Sequence, residues 1–173
     1  MRARSLLLAT LLPALPACGG DDLSALAGFD VVRASLEDLD IHTLALAVGL
    51  VEGRGTLRID GDGGERVVAP VELDGWLLGL SLDVSVNESA GDSFPLELPA
   101  APVRGDQVFG SYTGRVAGVV MTLGVKARHL ENDHGVRIDQ PFFVVGLGMN
   151  VGFEWLTLEP SPGPPTVQGG AAE

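Results

Sequence analysis

One cysteine, one lysine and one tyrosine occur in 173 residues, and only 5% of the chain is aromatic. A lone cysteine excludes an intramolecular disulfide, so no covalent staple supports the fold. Few aromatics leave Val, Leu and Ala to build a core. Basic residues are scarce, 11 against 23 acidic ones, for a formal net charge of −12. Such a surface repels phosphate backbones and anionic headgroups, so nucleic acid is excluded as a partner. No GxSxG elbow is present, and no second thiol is there to act as a nucleophile.

What is abundant is glycine, with 24 residues, in a chain that is 46% hydrophobic. That composition folds, and its length suits one domain. The dominant period is two, the signature of β-strands. "TLALAVGLV" sets Leu44, Leu46, Val48 and Leu50 against Thr43, Ala45, Ala47 and Gly49. "WLLGLSLDVSV" sets Trp76, Leu78, Leu80, Leu82, Val84 and Val86 against Gly79, Ser81, Asp83 and Ser85. "GSYTGRVAGVVMTLGVKAR" aligns Ala117, Val119, Met121, Leu123, Val125 and Ala127 opposite Gly110, Gly114, Gly118 and Gly124. "FVVGLGMNVGFEW" repeats the theme, with Val145, Leu147, Met149, Val151, Phe153 and Trp155 facing away from Gly146, Gly148, Asn150 and Gly152.

The four segments therefore each have a bulky face and a lean one. Burying the bulky face is expected to make the core. Glycines on the lean face permit sharp coiling of the sheet, or close approach of another segment to the backbone. Shorter strands are expected in "RGTLRID" and "ERVVAPVEL" around the turn "GDGG" (61–64), and in "VRID" after the turn "ENDHG" (131–135). Residues 94–106 carry three prolines and read as a long connection, and "DVVRASLEDLD" (30–40) reads as strand rather than capped helix. The expected fold is all-β and antiparallel: a Gly-rich curved sheet forming a small barrel or sandwich of about 7–9 strands.

Residues 1–17 read as a signal peptide, with Arg2 and Arg4 ahead of an apolar run from Leu6 to Leu15. The run is shorter than the roughly 20 residues a spanning helix needs. "LPAC", Leu15-Pro16-Ala17-Cys18, resembles the lipobox of bacterial lipoprotein precursors, with Pro16 standing where a small residue is usual. The resemblance implies cleavage before Cys18, acylation of its sulfur, and anchoring in a bacterial cell membrane. Stable anchoring takes more than one acyl chain. Gly19 after the cysteine favours the outer membrane, again by resemblance to sorted lipoproteins. Residues 18–28 follow as lipidated N-terminus and tether, 29–158 as the β domain, and 159–173, with four prolines, as a disordered or extended tail. In texture the glycine-spaced strands are similar to SYLF-type lipid-associated domains and other small envelope β-domains. No motif carries that similarity to particular residues.

"HLENDH" places His129, Glu131, Asp133 and His134 within six residues, a donor set suited to a divalent metal. On a turn it also reads as a solvated hairpin tip, and a real site wants a further ligand, for which His42 is the remaining histidine. "DGDGGE" brings Asp60, Asp62 and Glu65 together without the oxygen spacing a calcium loop needs. "GLGMNVG" (146–152) lies inside a strand alternation, with no helix following to meet a phosphate. No cofactor is expected. Three functional readings follow, in order of weight. The first is a non-enzymatic envelope lipoprotein with a structural or protein-binding β domain. The second is a carrier of a lipid or other apolar ligand. The third is a membrane-spanning barrel with its bulky face toward lipid, against which the shortage of aromatics for interfacial girdles counts.

Overall fold

The computed structural model describes residues 26–89, 93–162 and 166–168; for 80–89 and 166–168 it describes the backbone only. The signal peptide, the lipobox, Cys18 and the first part of the tether lie outside these residues. The architecture is all-β and antiparallel, built on four long strands: β1 (Val31–Gly61), β2 (Arg66–Ser89), β4 (Gly110–Asn132) and β5 (Arg137–Pro160). Two short strands complete it, β3 (Ser93–Pro95) and β6 (Thr166–Gln168). They form one six-stranded sheet in the order β3-β1-β2-β5-β4, with β6 also on β2.

The described strands thus number fewer than seven, and the sheet is not closed into a barrel. The difference arises at the glycines of "VEGRG". The ladder runs straight through them and joins "TLALAVGLV" to "RGTLRID", expected as separate strands, with Glu52 opposite Asp74 and Gly53 opposite Leu73. "RGTLRID" is the second half of β1, "ERVVAPVEL" the first half of β2, and "VRID" the start of β5. The segment 30–40 is strand from Val31 onward. Thr166–Gln168, in the tail expected to be disordered, pairs with Arg66–Val68.

Long strands must bend to make a core, and these fold over at their middles. Where β1 folds, a Cβ placed on Gly49 would lie 2.6 Å from the Ala45 Cα. One on Gly53 would lie 2.9 Å from the Ile41 Cγ1, and one on Gly55 3.2 Å from the Leu39 Cα. Each pair is centred on residue 47, and Ala47 has φ +65°. In β4, Gly124 approaches Val120, Gly118 approaches Lys126 and Gly114 meets the His129 carbonyl. These pairs centre on Thr122 and its neighbours, and Thr122 has φ +72°. Positive φ is costly for alanine and more so for β-branched threonine, so these two positions are held by the surrounding ladder. β2 and β5, hydrogen-bonded between them, carry the fold line across the sheet.

The result has two unlike ends. At the end holding the strand termini, inward residues are apolar and buried: Leu57 and Ile59 of β1, Val67, Val71 and Leu73 of β2, Leu130 of β4, and Ile138 and Leu158 of β5. Phe94, from the connection side, stacks edge-on against Phe142 at 5.5 Å. Outward residues there are charged or polar, as in Glu52, Arg54, Glu72, Asp74, Arg137 and Glu159. This half follows the usual rule of apolar inside and polar outside.

Candidate functional site: an apolar band around a polar interior

Toward the fold line the same strands reverse the rule. The expectation that the bulky face is buried fails here. Leu44, Leu46, Val48 and Leu50 of β1, Trp76 and Leu78 of β2, Val119, Met121, Leu123 and Val125 of β4, and every second residue from Phe143 to Trp155 of β5 are exposed. Leu46, Met121 and Leu123 are each more than 70% exposed. The physical reason is the lean face. Glycine lets the two layers approach within backbone contact along β1 and β4, which leaves little space between them for the larger residues of the alternate face.

The inward face in this half carries polar side chains beside buried apolar ones such as Leu77, Val116, Val120 and Val144. Thr43, Lys126, Arg128, Asn150 and Glu154 are all buried. Lys126 Nζ lies 3.5 Å from Thr43 Oγ1, bridging from β4 to β1 across the interior. Arg128 Nε donates to Glu154 Oε2 at 2.8 Å and to Oε1 at 3.2 Å, and both side chains are only 1% exposed. The guanidinium also sits 4.7 Å from the Phe142 ring centre. Burying a charge is tolerable only when it is paired, and this one is.

The band has sharp limits. On β1 the outward face changes from Leu50 to Glu52, and on β2 from Asp74 to Trp76. On β5 it changes from Pro141 to Phe143 at one limit and from Trp155 to Thr157 at the other. Trp76 and Trp155 are register partners at one limit, with Phe153 6.4 Å from Trp155. Phe143 marks the other. Four of the nine aromatics of the chain, Trp76, Phe143, Phe153 and Trp155, thus stand at or beside the limits of the band.

The metal candidates are placed otherwise. His129 pairs with Asp139 across β4 and β5 at 2.5 Å, and Glu131 accepts from Arg137 at 2.8 Å. Both are cross-strand neighbours on the outward face. They line a shallow depression of 240 Å³ with Leu130. Asp133 and His134 sit in the turn, where Asn132 Oδ1 accepts from the His134 and Val136 amides at 2.9 and 3.0 Å. Asn132 Nδ2 also donates to the Gln107 carbonyl at 2.9 Å, tying this turn to the short 3-10 helix Gly105–Val108. Among the described residues no three His, Cys, Asp or Glu side chains group to hold a metal. His42 lies on β1 beside Asp40, 3.5 Å away.

"DGDGGE" is a hairpin turn, with Gly64 at φ +85° and the Gly61 amide bonded to the Glu65 carbonyl at 2.8 Å. Asp60 accepts from Arg66 Nε at 2.8 Å, and this bond holds its carboxyl below the ordinary value. A carboxyl whose folded pKa is depressed adds stability above its unfolded pKa and loses it as pH falls through the folded one. Arg66→Ala is therefore expected to cost no more than about 1 kcal/mol near pH 6 and nothing near pH 2. Urea midpoints of the two proteins at both pH values check this.

No family model, curated protein or solved structure significantly matches the chain. The reversed band is the feature that sequence reasoning mis-assigned. Its signal was present: the lean face carries Lys126, Asn150 and Glu154 at positions where the neighbours on the opposite face are apolar.

Proposed function

We propose that the chain is an exported bacterial envelope lipoprotein, anchored at Cys18, whose β domain seats its apolar end in the bilayer. The role is structural rather than enzymatic. The observation that carries this is the band: large apolar side chains of β1, β2, β4 and β5 stand exposed together on the outward face, while Lys126, Arg128, Asn150 and Glu154 are buried on the inward one. Hydrocarbon, not water, selects such an outward face. From Met149 to Trp155, or back to Phe143, is six residues, about 20 Å at roughly 3.3 Å each. The folded end thus enters about two-thirds of a hydrocarbon core of roughly 30 Å.

The carrier reading has less support. The 410 Å³ pocket lies at the polar end and is lined by Arg33, Glu37, Arg58 and Asp60, a charged lining unsuited to an apolar ligand.

The test uses residues 19–173, which lack the acylation site. They are expected to float with phosphatidylcholine vesicles and to require detergent otherwise. A chain that stays monodisperse in buffer and separates from vesicles overturns the reading. Mass spectrometry of the native protein, showing acyl chains on Cys18, tests the anchor separately.

A further inference from the structure

A sheet in hydrocarbon cannot leave its edges bare. Each unpaired backbone group there costs several kcal/mol, which is why membrane sheets close. Among the described residues both edges of this sheet are open within the band: β4 pairs with no strand but β5, and β1 beyond Glu37 with none but β2. Neither edge carries the devices that keep edge strands apart in water. Val116–Val125 of β4 and Thr43–Val51 of β1 hold no proline and no charge.

Resting on the membrane reading above, we infer that the occupant of these edges is a second copy of this chain, with β4 of one copy pairing with β1 of the next. Direction permits it. Three antiparallel steps separate β1 from β4, so β4 runs opposite to β1 and a neighbouring copy continues the antiparallel order.

Register supports it as well. The fold line crosses β1 at Ala47 and β4 at Thr122, the two strand positions with positive φ on these edges' bends. Two copies whose layers run on into each other must align those points. That alignment sets Leu44 opposite Val125, Leu46 opposite Leu123, Val48 opposite Met121 and Leu50 opposite Val119. All eight side chains are exposed and apolar. Directly opposite residues in an antiparallel pair share a face, so the apolar band continues unbroken from copy to copy. A slip of one residue would set Leu46 against Thr122 or Gly124 and break it. The contact is head-to-tail and adds four long strands per copy.

The experiment mixes two full-length variants, Leu46→Cys and Leu123→Cys, in phosphatidylcholine vesicles under mild oxidation. The parent chain, with Cys18 alone, is the blank. The expected result is an adduct joining residue 46 of one copy to 123 of another, at least fivefold above that of Leu46→Cys mixed with Ser111→Cys. Native mass spectrometry from detergent is expected to give multiples of the chain. Protein that floats with vesicles yet is monomeric, or crosslinks equally at 111 and 123, overturns the pairing and leaves the membrane reading standing. Protein that does not float overturns both.

Discussion

Leu147→Arg is expected to abolish vesicle flotation without lowering the stability of the fold. Leu147 lies at the middle of the β5 band and is 66% exposed, so its side chain supports little packing. In water the substitution removes no core contact, and surface changes of this kind stay within about 0.5 kcal/mol. In a bilayer, a lipid-facing arginine near the midplane costs about 2–4 kcal/mol. That is roughly a 30- to 700-fold loss of partitioning, at 1.4 kcal/mol per tenfold. Glu159→Arg, on the same outward face of β5 but beyond the band, is expected to float as the parent does. Flotation is read by the fraction of protein recovered with vesicles. If Leu147→Arg floats unchanged, the band is not a lipid contact.

Glu154→Ala is expected to be the most destabilising single change, at about 3–5 kcal/mol, because it strands a buried guanidinium that keeps its charge. Arg128 and Glu154 meet inside the folded half, from β4 and β5, both almost wholly out of solvent. The double variant Arg128→Met with Glu154→Leu is expected to recover most of that loss, since apolar replacements of buried pairs are often neutral. The measurement is the urea midpoint of single and double variants against the parent. A single variant no worse than the double would mean that Arg128 does not depend on this carboxylate.

Both results turn on which face of the sheet looks outward, and that was the one thing the alternation did not reveal. Period two in "FVVGLGMNVGFEW" marks two faces and the strand type, as it does in "TLALAVGLV". It does not say which face is buried. Reading the larger residues as core holds at Leu57, Ile59 and Leu158, which are buried, and it fails at Leu147, Met149 and Leu44 to Leu50, which are exposed. Strand count failed for a related reason. "VEGRG" has the composition of a turn, but only the pairing of Glu52 with Asp74 shows that β1 continues through it. Polar residues on the lean face, Lys126 and Glu154 above all, were the legible sign of the reversal.

From the sequence alone came the strand class, the antiparallel order, the turn at 61–64 and the use of glycine for close backbone approach, because each depends on local backbone preference and the two-residue side-chain repeat. The resemblance of Leu15-Pro16-Ala17-Cys18 to a lipobox likewise rests on the chain alone. Only the tertiary structure decided that the sheet folds at Ala47 and Thr122 and presents its large side chains outward over half its length. Burial is settled by what two distant halves of a strand can fit between them, and at Gly53, Gly114 and Gly118 the opposite half comes too close for a side chain from both.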